Sequence, residues 1–98
     1  MENNELPYVI VRTYSAGVFA GYLEKREGKE VVLLKVRRIW FWAGAASLSQ
    51  LAMEGTKKPN ECKFPCEVDK IELTEAIEIL YVTKKAELSI KSVKIWEQ

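Results

Sequence analysis

The chain has no histidine and only two cysteines among its 98 residues. Without imidazole, the usual acid–base group near neutral pH is missing, and histidine-based catalytic triads are excluded. Zinc sites generally need four ligands, and Cys62 and Cys66 supply only two. A disulfide is disfavoured in a reducing cytosol. We therefore predict two free thiols at the edge of a loop, with no metal and no cofactor; a metal shared between subunits stays an open alternative.

The chain also lacks a strong net charge and a long apolar run. Its formal net charge is +1, with 48% apolar and 30% charged residues, which is typical of a soluble globular protein. No segment approaches the roughly 18 apolar residues of a membrane helix, and the acidic start does not resemble a signal peptide. We expect one cytoplasmic domain over residues 1–98, with residues 1–6 as a flexible N-terminus and no membrane contact. The small net charge also argues against nucleic acid as a partner.

Alternating, β-branched segments predict three antiparallel strands in the first part of the chain. They cover residues 7–14, 18–26 and 30–42. Gly21 predicts a bulge or a close backbone contact, and residues 27–29 have the composition of a hairpin turn. Short connections between these strands predict a three-stranded meander.

The apolar period changes after the third predicted strand. Ser47 is a good N-cap for a helix through Met53 that ends at Gly55. Residues 56–65 have the composition of a polar loop.

The C-terminal part is harder to assign. Residues 67–83 are compatible with a helix or a strand, but their β-branched content favours two short strands broken near Thr74 and Glu75. Residues 84–92 predict a second short helix, and residues 93–96 predict a last strand. The fold class is therefore α+β, with a curled antiparallel sheet and two short helices.

The segment RRIWFWAGAASLSQLA, residues 37–52, carries the predicted site. Strand alternation puts Arg38, Trp40 and Trp42 on one face, where a planar ring can stack and a guanidinium can bind phosphate. Small residues then lead into a helix start, whose amides lack intrahelical partners and favour anions. The predicted ligand-binding residues are Arg12, Tyr14, Arg38, Trp40, Trp42, Gly44, Ala45, Ala46, Ser47 and Gln50.

Other interpretations of this segment stay open. Two tryptophans on one strand face are more often core residues than a ligand platform, and a subunit interface, where Trp and Arg are enriched, is a third interpretation. Arg37 and Arg38 are compatible with a solvated strand end, or with a basic stripe that includes Lys57 and Lys58 and contacts nucleic acid. An enzyme would have to use acids that otherwise fit the outer face of a strand. These acids are Glu67, Asp69, Glu72 and Glu75.

With these residues in view, the chain resembles a family of short proteins encoded by tailed bacteriophages and prophages. The resemblance lies in YVIVRTYSAGVFAGYLEKREGKEVVL and RRIWFWAGAASLSQLAMEG, and more loosely in KFPCEVDKIELTEAIEIL and VTKKAELSIKSVKIW. It covers nearly the whole chain, and the middle segment, with its RRxWxWAGAASLSQLA core, is the specific part. The resemblance implies a small phage accessory protein in the host cytosol, with no established activity.

Together, residues and resemblance favour a protein that is not an enzyme and that sequesters a nucleotide-type molecule. A cyclic nucleotide or an ADP-ribose-derived signal of host immunity would fit that role. Such a protein is expected to be a homo-oligomer, because exposed tryptophans in a short chain favour association. The alternative is an inhibitor that binds a protein, or a small structural phage protein, that uses the same Trp/Arg face as an interface.

Overall fold

The computed structural model describes residues 6–97, so the predicted flexibility of residues 1–6 falls almost entirely outside them. The fold is α+β, as predicted from the sequence. Its elements are β1 (Tyr8–Thr13), β2 (Val18–Glu27), β3 (Glu30–Arg38), α1 (Leu48–Glu54), a short 3-10 turn (Pro59–Glu61), β4 (Val68–Leu73), β5 (Ala76–Tyr81) and α2 (Lys84–Ser92).

All five strands form one antiparallel sheet in the order β4-β3-β2-β1-β5. The predicted meander of β1, β2 and β3 is confirmed, and so is the break between β4 and β5. These last two strands lie at opposite edges of the sheet although only Thr74 and Glu75 separate them in the chain. The sheet must therefore curl strongly, and the Ala76 amide donates to the Lys29 carbonyl at 3.0 Å across the curl. No ladder joins β4 to β5 within residues 6–97, so the curled sheet is not closed.

The two faces of the sheet bury separate apolar clusters, because successive side chains of a strand point to opposite faces. Val9, Val11 and Phe19 belong to the cluster inside the curl. Tyr8 and Ile10 belong to the outer cluster, which the helices and the segment around Phe64 cover. The other buried members of the outer cluster are Ala20, Ile39, Leu51, Ala52, Cys62, Ile90 and Val93, together with Phe64 itself.

Both helices begin and end where the sequence predicts. The Ser47 hydroxyl accepts from the Gln50 amide at 3.2 Å, and Gly55 ends α1 with a φ of 79°, in the left-handed region that favours glycine. The Thr83 hydroxyl caps α2 in the same way, accepting from the Ala86 amide at 3.1 Å. Within residues 6–97, no helix has the length and apolarity needed to cross a membrane.

The prediction that the third strand continues to residue 42 is wrong, because β3 ends at Arg38. Its partner strand explains the difference. β2 begins at Val18, whose carbonyl accepts the Ile39 amide at 2.8 Å, and no further residue of β2 remains to pair with. Gly21 does mark a close approach, since a Cβ there would lie 3.0 Å from the Leu34 carbonyl oxygen.

The predicted last strand at residues 93–96 is also wrong. This segment makes one isolated parallel bridge, between Ile95 and Phe64, and no ladder. The segment does contain β-branched residues. However, α2 and the Phe64 segment already cover the outer face of the sheet, and the segment packs against them. The chain therefore lies beside that segment and outside the sheet.

Candidate binding surface

Three chain segments lie side by side where the chain leaves β3. The Lys63 amide donates to the Phe41 carbonyl at 2.7 Å, and the Trp40 amide donates to the Lys63 carbonyl at 3.1 Å. On the other side, the Trp96 amide donates to the Phe64 carbonyl at 3.0 Å. These bonds fix residues 40–41, 63–64 and 95–96 as neighbours, although they are far apart in the sequence.

The side chains of these segments form an exposed aromatic surface. The rings of Trp40 and Trp96 stack with centroids 6.2 Å apart and an interplanar angle of 10°. Trp40 remains 63% exposed and Trp96 37% exposed, and Phe41 and Ile95 are exposed as well. The Lys63 ammonium lies 5.6 Å from the Trp96 ring centroid and 5.9 Å from that of Phe41. We call these five residues the Trp40–Trp96 surface.

An open depression of about 370 Å³ adjoins the surface at Trp96. It combines an aromatic ring, an aliphatic side chain, a polar amide and the cation of Lys94. The lining residues are Pro59, Asn60, Cys62, Lys94, Ile95 and Trp96.

The C-terminal segment is held in place by Arg37, which is only 5% exposed. One interpretation of the sequence puts Arg37 at a solvated strand end. That interpretation is wrong, because the Arg37 side chain is buried. All five N–H groups of the guanidinium donate to backbone carbonyls. The acceptors are Pro65 (3.2 Å), Ile90 (3.2 Å), Val93 (2.7 Å), Phe64 (2.8 Å) and Lys94 (3.4 Å). We call this arrangement the Arg37 anchor.

The anchor buries a cation without an ionic hydrogen bond to a carboxylate within residues 6–97. Three of its acceptors, at Ile90, Val93 and Lys94, belong to the end of α2 or to the residues just after it. Carbonyls at a helix C-terminus carry partial negative charge and stabilise a cation there. Desolvation nevertheless lowers the pKa of Arg37 below its usual value. The burial of Arg37 also removes it from the basic stripe that the nucleic-acid alternative required.

Arg38, the next residue, has a different environment. Its guanidinium carbon lies 4.7 Å from the Phe19 ring centroid, and its Nη1 donates to the Ala16 carbonyl at 3.3 Å. Arg38 is exposed. The Arg38 side chain therefore covers the Phe19 end of the apolar cluster inside the curl. The prediction that Arg38 shares a strand face with both tryptophans is wrong, because β3 ends at Arg38.

Arg12 and Tyr14 are not brought to this surface by any contact within residues 6–97. Arg12 pairs with Val18 in the sheet while Arg38 pairs with Phe19, so the register puts the two arginines on opposite faces. Arg12 Nε donates to the Glu78 carboxylate at 3.0 Å. Tyr14 is among the most exposed aromatic residues and lies beyond the end of β1.

The remaining predicted residues lie together around the start of α1, where local groups occupy much of the space. The Trp42 ring packs against the outer cluster, and its Nε1 donates to the Ala45 carbonyl at 3.3 Å. The Ala46 amide donates to the Gln50 side-chain oxygen at 2.7 Å, so this amide is already satisfied. Gly44 has a φ of 83°, and a Cβ there would clash with the backbone amides of residues 57 and 58. The small residue at 44 is therefore required by close packing of the chain.

The two thiols differ from each other. Cys62 is buried in the outer cluster near the Ala43 backbone, and Cys66 is exposed; both are free. Within residues 6–97, no three His, Cys, Asp or Glu side chains form a group that could hold a metal ion. Asp69, one of the acids considered for catalysis, lies 3.7 Å from the Lys35 ammonium on the neighbouring strand.

Sequence reasoning missed four members of the surface: Phe41, Lys63, Ile95 and Trp96. Trp96 had a usable signal, since a tryptophan in the polar end KIWEQ has few local apolar partners. Nothing in the sequence indicated that it would meet Trp40, because their contact depends on the Arg37 anchor.

A family model described as "Domain of unknown function (DUF6948)" matches residues 6–90. This match covers most of the chain, and the chain belongs to that family. No curated protein and no solved structure matches the chain.

Proposed function

We propose that this member of the family is a binding protein without catalytic activity, and that its Trp40–Trp96 surface holds a planar anionic ligand of the nucleotide class. The observation that carries the proposal is the nearly parallel, exposed Trp40–Trp96 pair with the Lys63 ammonium against it. Base–aromatic stacking contributes about 1–3 kcal/mol per base, and an adjacent ammonium attracts phosphate.

The depression beside Trp96 supports a ligand larger than a single ring. Its volume of about 370 Å³ lies in the range of small-molecule sites, roughly 300–1,000 Å³. A base on the tryptophans would leave its ribose and phosphate over this depression, where Lys94 and Asn60 offer donors. This placement differs from the sequence-based one, since it does not use the start of α1.

The resemblance to small phage proteins supplies the finer part of the proposal. We propose that the ligand is a nucleotide signal of host defence, cyclic or derived from ADP-ribose, and that the protein acts by sequestering it in the host cytosol. Such an activity needs affinity and a high copy number, and no bond in the ligand changes.

Titration calorimetry against cyclic dinucleotides, cyclic oligonucleotides and cyclic ADP-ribose isomers tests the proposal. We expect at least one of these probes to bind, and Trp40→Ala to weaken that binding roughly 5- to 150-fold, the equivalent of one lost stacking contact. Lys63→Met should weaken it less and should reduce its dependence on salt concentration.

Tyr14→Ala is the matched control, since it removes an exposed aromatic ring that does not belong to the surface. It should leave the affinity unchanged. Release of the bound probe by denaturation, followed by mass spectrometry, should return it intact. Absence of binding by every probe, or equal losses in Trp40→Ala and Tyr14→Ala, would contradict the proposal.

A second candidate is binding to a protein, favoured by the apolar character of the surface. Four apolar side chains are exposed together, at Trp40, Phe41, Ile95 and Trp96. Grouped exposed apolar residues are typical of protein interfaces. If this function is correct, a host protein should copurify stoichiometrically with the wild type and with Tyr14→Ala, but not with Trp40→Ala, and the nucleotide probes should not compete with it.

A further inference from the structure

The two free edges of the open sheet differ in composition. The β4 edge, VDKIEL, carries three charged residues, a common protection against unwanted strand pairing. The β5 edge, AIEILY, carries one, Glu78, and this carboxylate is already bound to Arg12 on the neighbouring strand. Neither proline nor lysine interrupts β5, although its register against β1 shifts between Glu78 and Ala76, which leaves Ile77 at a bulge. An apolar edge strand of this kind generally requires a cover.

We propose that β5 pairs with β5 of a second copy of this chain, antiparallel, about a two-fold axis at Ile79. This pairing joins two five-stranded sheets into one continuous sheet. It lies apart from the Trp40–Trp96 surface and does not depend on the function of that surface.

The hydrogen-bonding groups of the strand support edge pairing. The Val82 amide donates to the Tyr8 carbonyl at 3.0 Å, which identifies this pair as hydrogen-bonded. Such pairs alternate along an antiparallel ladder, so Leu80 and Glu78 also bond to β1. The amides and carbonyls of Ile79 and Tyr81 must then point away from β1, toward the free edge. No backbone partner accepts or supplies these bonds within residues 6–97.

The register about Ile79 is self-complementary. In this pairing Ile79 lies opposite the partner's Ile79, and Ile77, at the bulge of β5, lies nearest the partner's Tyr81. Pairs of β-branched and aromatic side chains stabilise antiparallel strands. Glu78 faces the partner's Leu80, so the two Glu78 carboxylates do not oppose each other. A two-fold axis makes each pair off the axis occur twice, whereas the Ile79 pair on the axis occurs once.

A depression along the same edge matches this register. It has a volume of about 230 Å³, lies beside Ile77, Ile79 and Tyr81, and includes the exposed Arg26 and Gly28. Ile77 is 49% exposed and Tyr81 63% exposed. The phenol ring opposite Ile77 would enter this depression and lie next to the Arg26 guanidinium, a favourable cation–π pair.

A contact of five residues per strand buries less than the roughly 1,200 Å² of stable interfaces, so the dimer should be reversible. Sedimentation equilibrium on the full chain, up to about 0.5 mM, should show monomer and dimer in exchange. Ile77→Lys and Tyr81→Lys should each raise the dimer dissociation constant about 100-fold, because a tenfold effect per copy is counted twice at a two-fold axis.

Val68→Lys on β4 is the matched control, since it puts the same charge on the other edge at a residue that is 43% exposed. It should leave the dimer unchanged, and circular dichroism checks that each variant is folded. A wild type that stays monomeric over the whole concentration range overturns the proposal. So does a Val68→Lys variant that dissociates as much as Tyr81→Lys.

Disulfide trapping tests the register. In a Cys66→Ser background, Ile79→Cys puts two thiols across the axis at a Cα separation of about 5.5 Å, which suits a disulfide. Tyr81→Cys puts its two copies about 14 Å apart, four residues along the strands, which is too far. Mild oxidation should therefore cross-link Ile79→Cys alone. Equal cross-linking of both variants, or of neither, contradicts pairing about Ile79.

Discussion

The Arg37 anchor and the Trp40–Trp96 surface are built from the same three stretches of chain, residues 37–41, 63–65 and 90–96, yet they have opposite physical characters. The anchor is closed: a buried cation has every donor satisfied by a carbonyl. The surface is open: two large rings stack on each other and remain accessible to solvent. Two residues separate Arg37 from Trp40, and two separate Val93 from Trp96.

The difference assigns separate tasks to the two regions. The anchor connects β3, the end of α2 and the Phe64 segment, so its loss would be felt by the whole fold. The surface contributes little buried area, so the stability of the fold does not explain why its rings are there. Changes in the anchor should therefore alter the free energy of unfolding, and changes in the surface should alter binding.

The largest effect is expected for Arg37→Met, which keeps an unbranched side chain but removes the five donors. We expect a loss of about 3 kcal/mol or more in the free energy of unfolding, since buried carbonyls lose charged donors. Urea unfolding followed by circular dichroism measures this loss.

Arg38→Met is the matched control at the next position. Its hydrogen bond is exposed to solvent, and an unbranched methionine can still cover the buried Phe19 ring, so the loss should stay within about 1 kcal/mol. If the two variants unfold at the same urea concentration, the anchor does not have the structural role described above.

This pair of arginines also shows where sequence reasoning reaches its limit. The helices were predictable because their signals are local: Ser47 and Gly55 lie at the two ends of α1. The role of Arg37 depends on carbonyls 27 to 57 positions away. No local pattern distinguishes it from Arg38.

The intermediate effect concerns the two rings of the surface. Trp40→Ala and Trp96→Ala should each destabilise the fold modestly, and the double variant should lose about 0.5–1.5 kcal/mol less than the sum of the single losses. The double-mutant cycle is measured by urea unfolding. Strict additivity would mean that the rings do not interact in solution. A coupling as large as the loss in Arg37→Met would mean that the surface is part of the core.

The position of this surface could be predicted only in part. Its neighbours in sequence indicate that Trp40 belongs to a binding surface, but strand alternation predicts a strand to residue 42 and groups Trp40 with Trp42. Alternation continues in the sequence to residue 42, whereas the strand ends where β2 offers no further partner. Strand length is set by the partner, so the pattern of one segment cannot give it.

The smallest effect concerns a second buried polar group under α2, the Tyr8 hydroxyl. It has no hydrogen-bond partner within residues 6–97, whereas the Tyr22 hydroxyl, on a ring 5.0 Å away, donates to the Glu87 carboxylate at 2.8 Å. Tyr8→Phe should therefore stabilise the fold by up to about 1 kcal/mol at pH 7, and Tyr22→Phe should destabilise it by about as much. Urea unfolding of both variants measures the contrast.

Alkaline pH sharpens the same contrast. Burial raises the pKa of Tyr8 above its usual value, so above about pH 10 the unfolded chain releases this proton while the folded chain keeps it. Stability is then complete below about pH 10 and falls as the pH rises. The pKa of Lys91 is also raised, chiefly by its hydrogen bond to Tyr22, and this shift lowers stability at alkaline pH in the same direction.

Tyr8→Phe should reduce the alkaline loss of stability by up to about 1.4 kcal/mol per pH unit, the value for one proton. If wild type and Tyr8→Phe lose stability in parallel between about pH 10 and 11, the Tyr8 hydroxyl is hydrated in solution, and the contrast with the fully satisfied Arg37 fails.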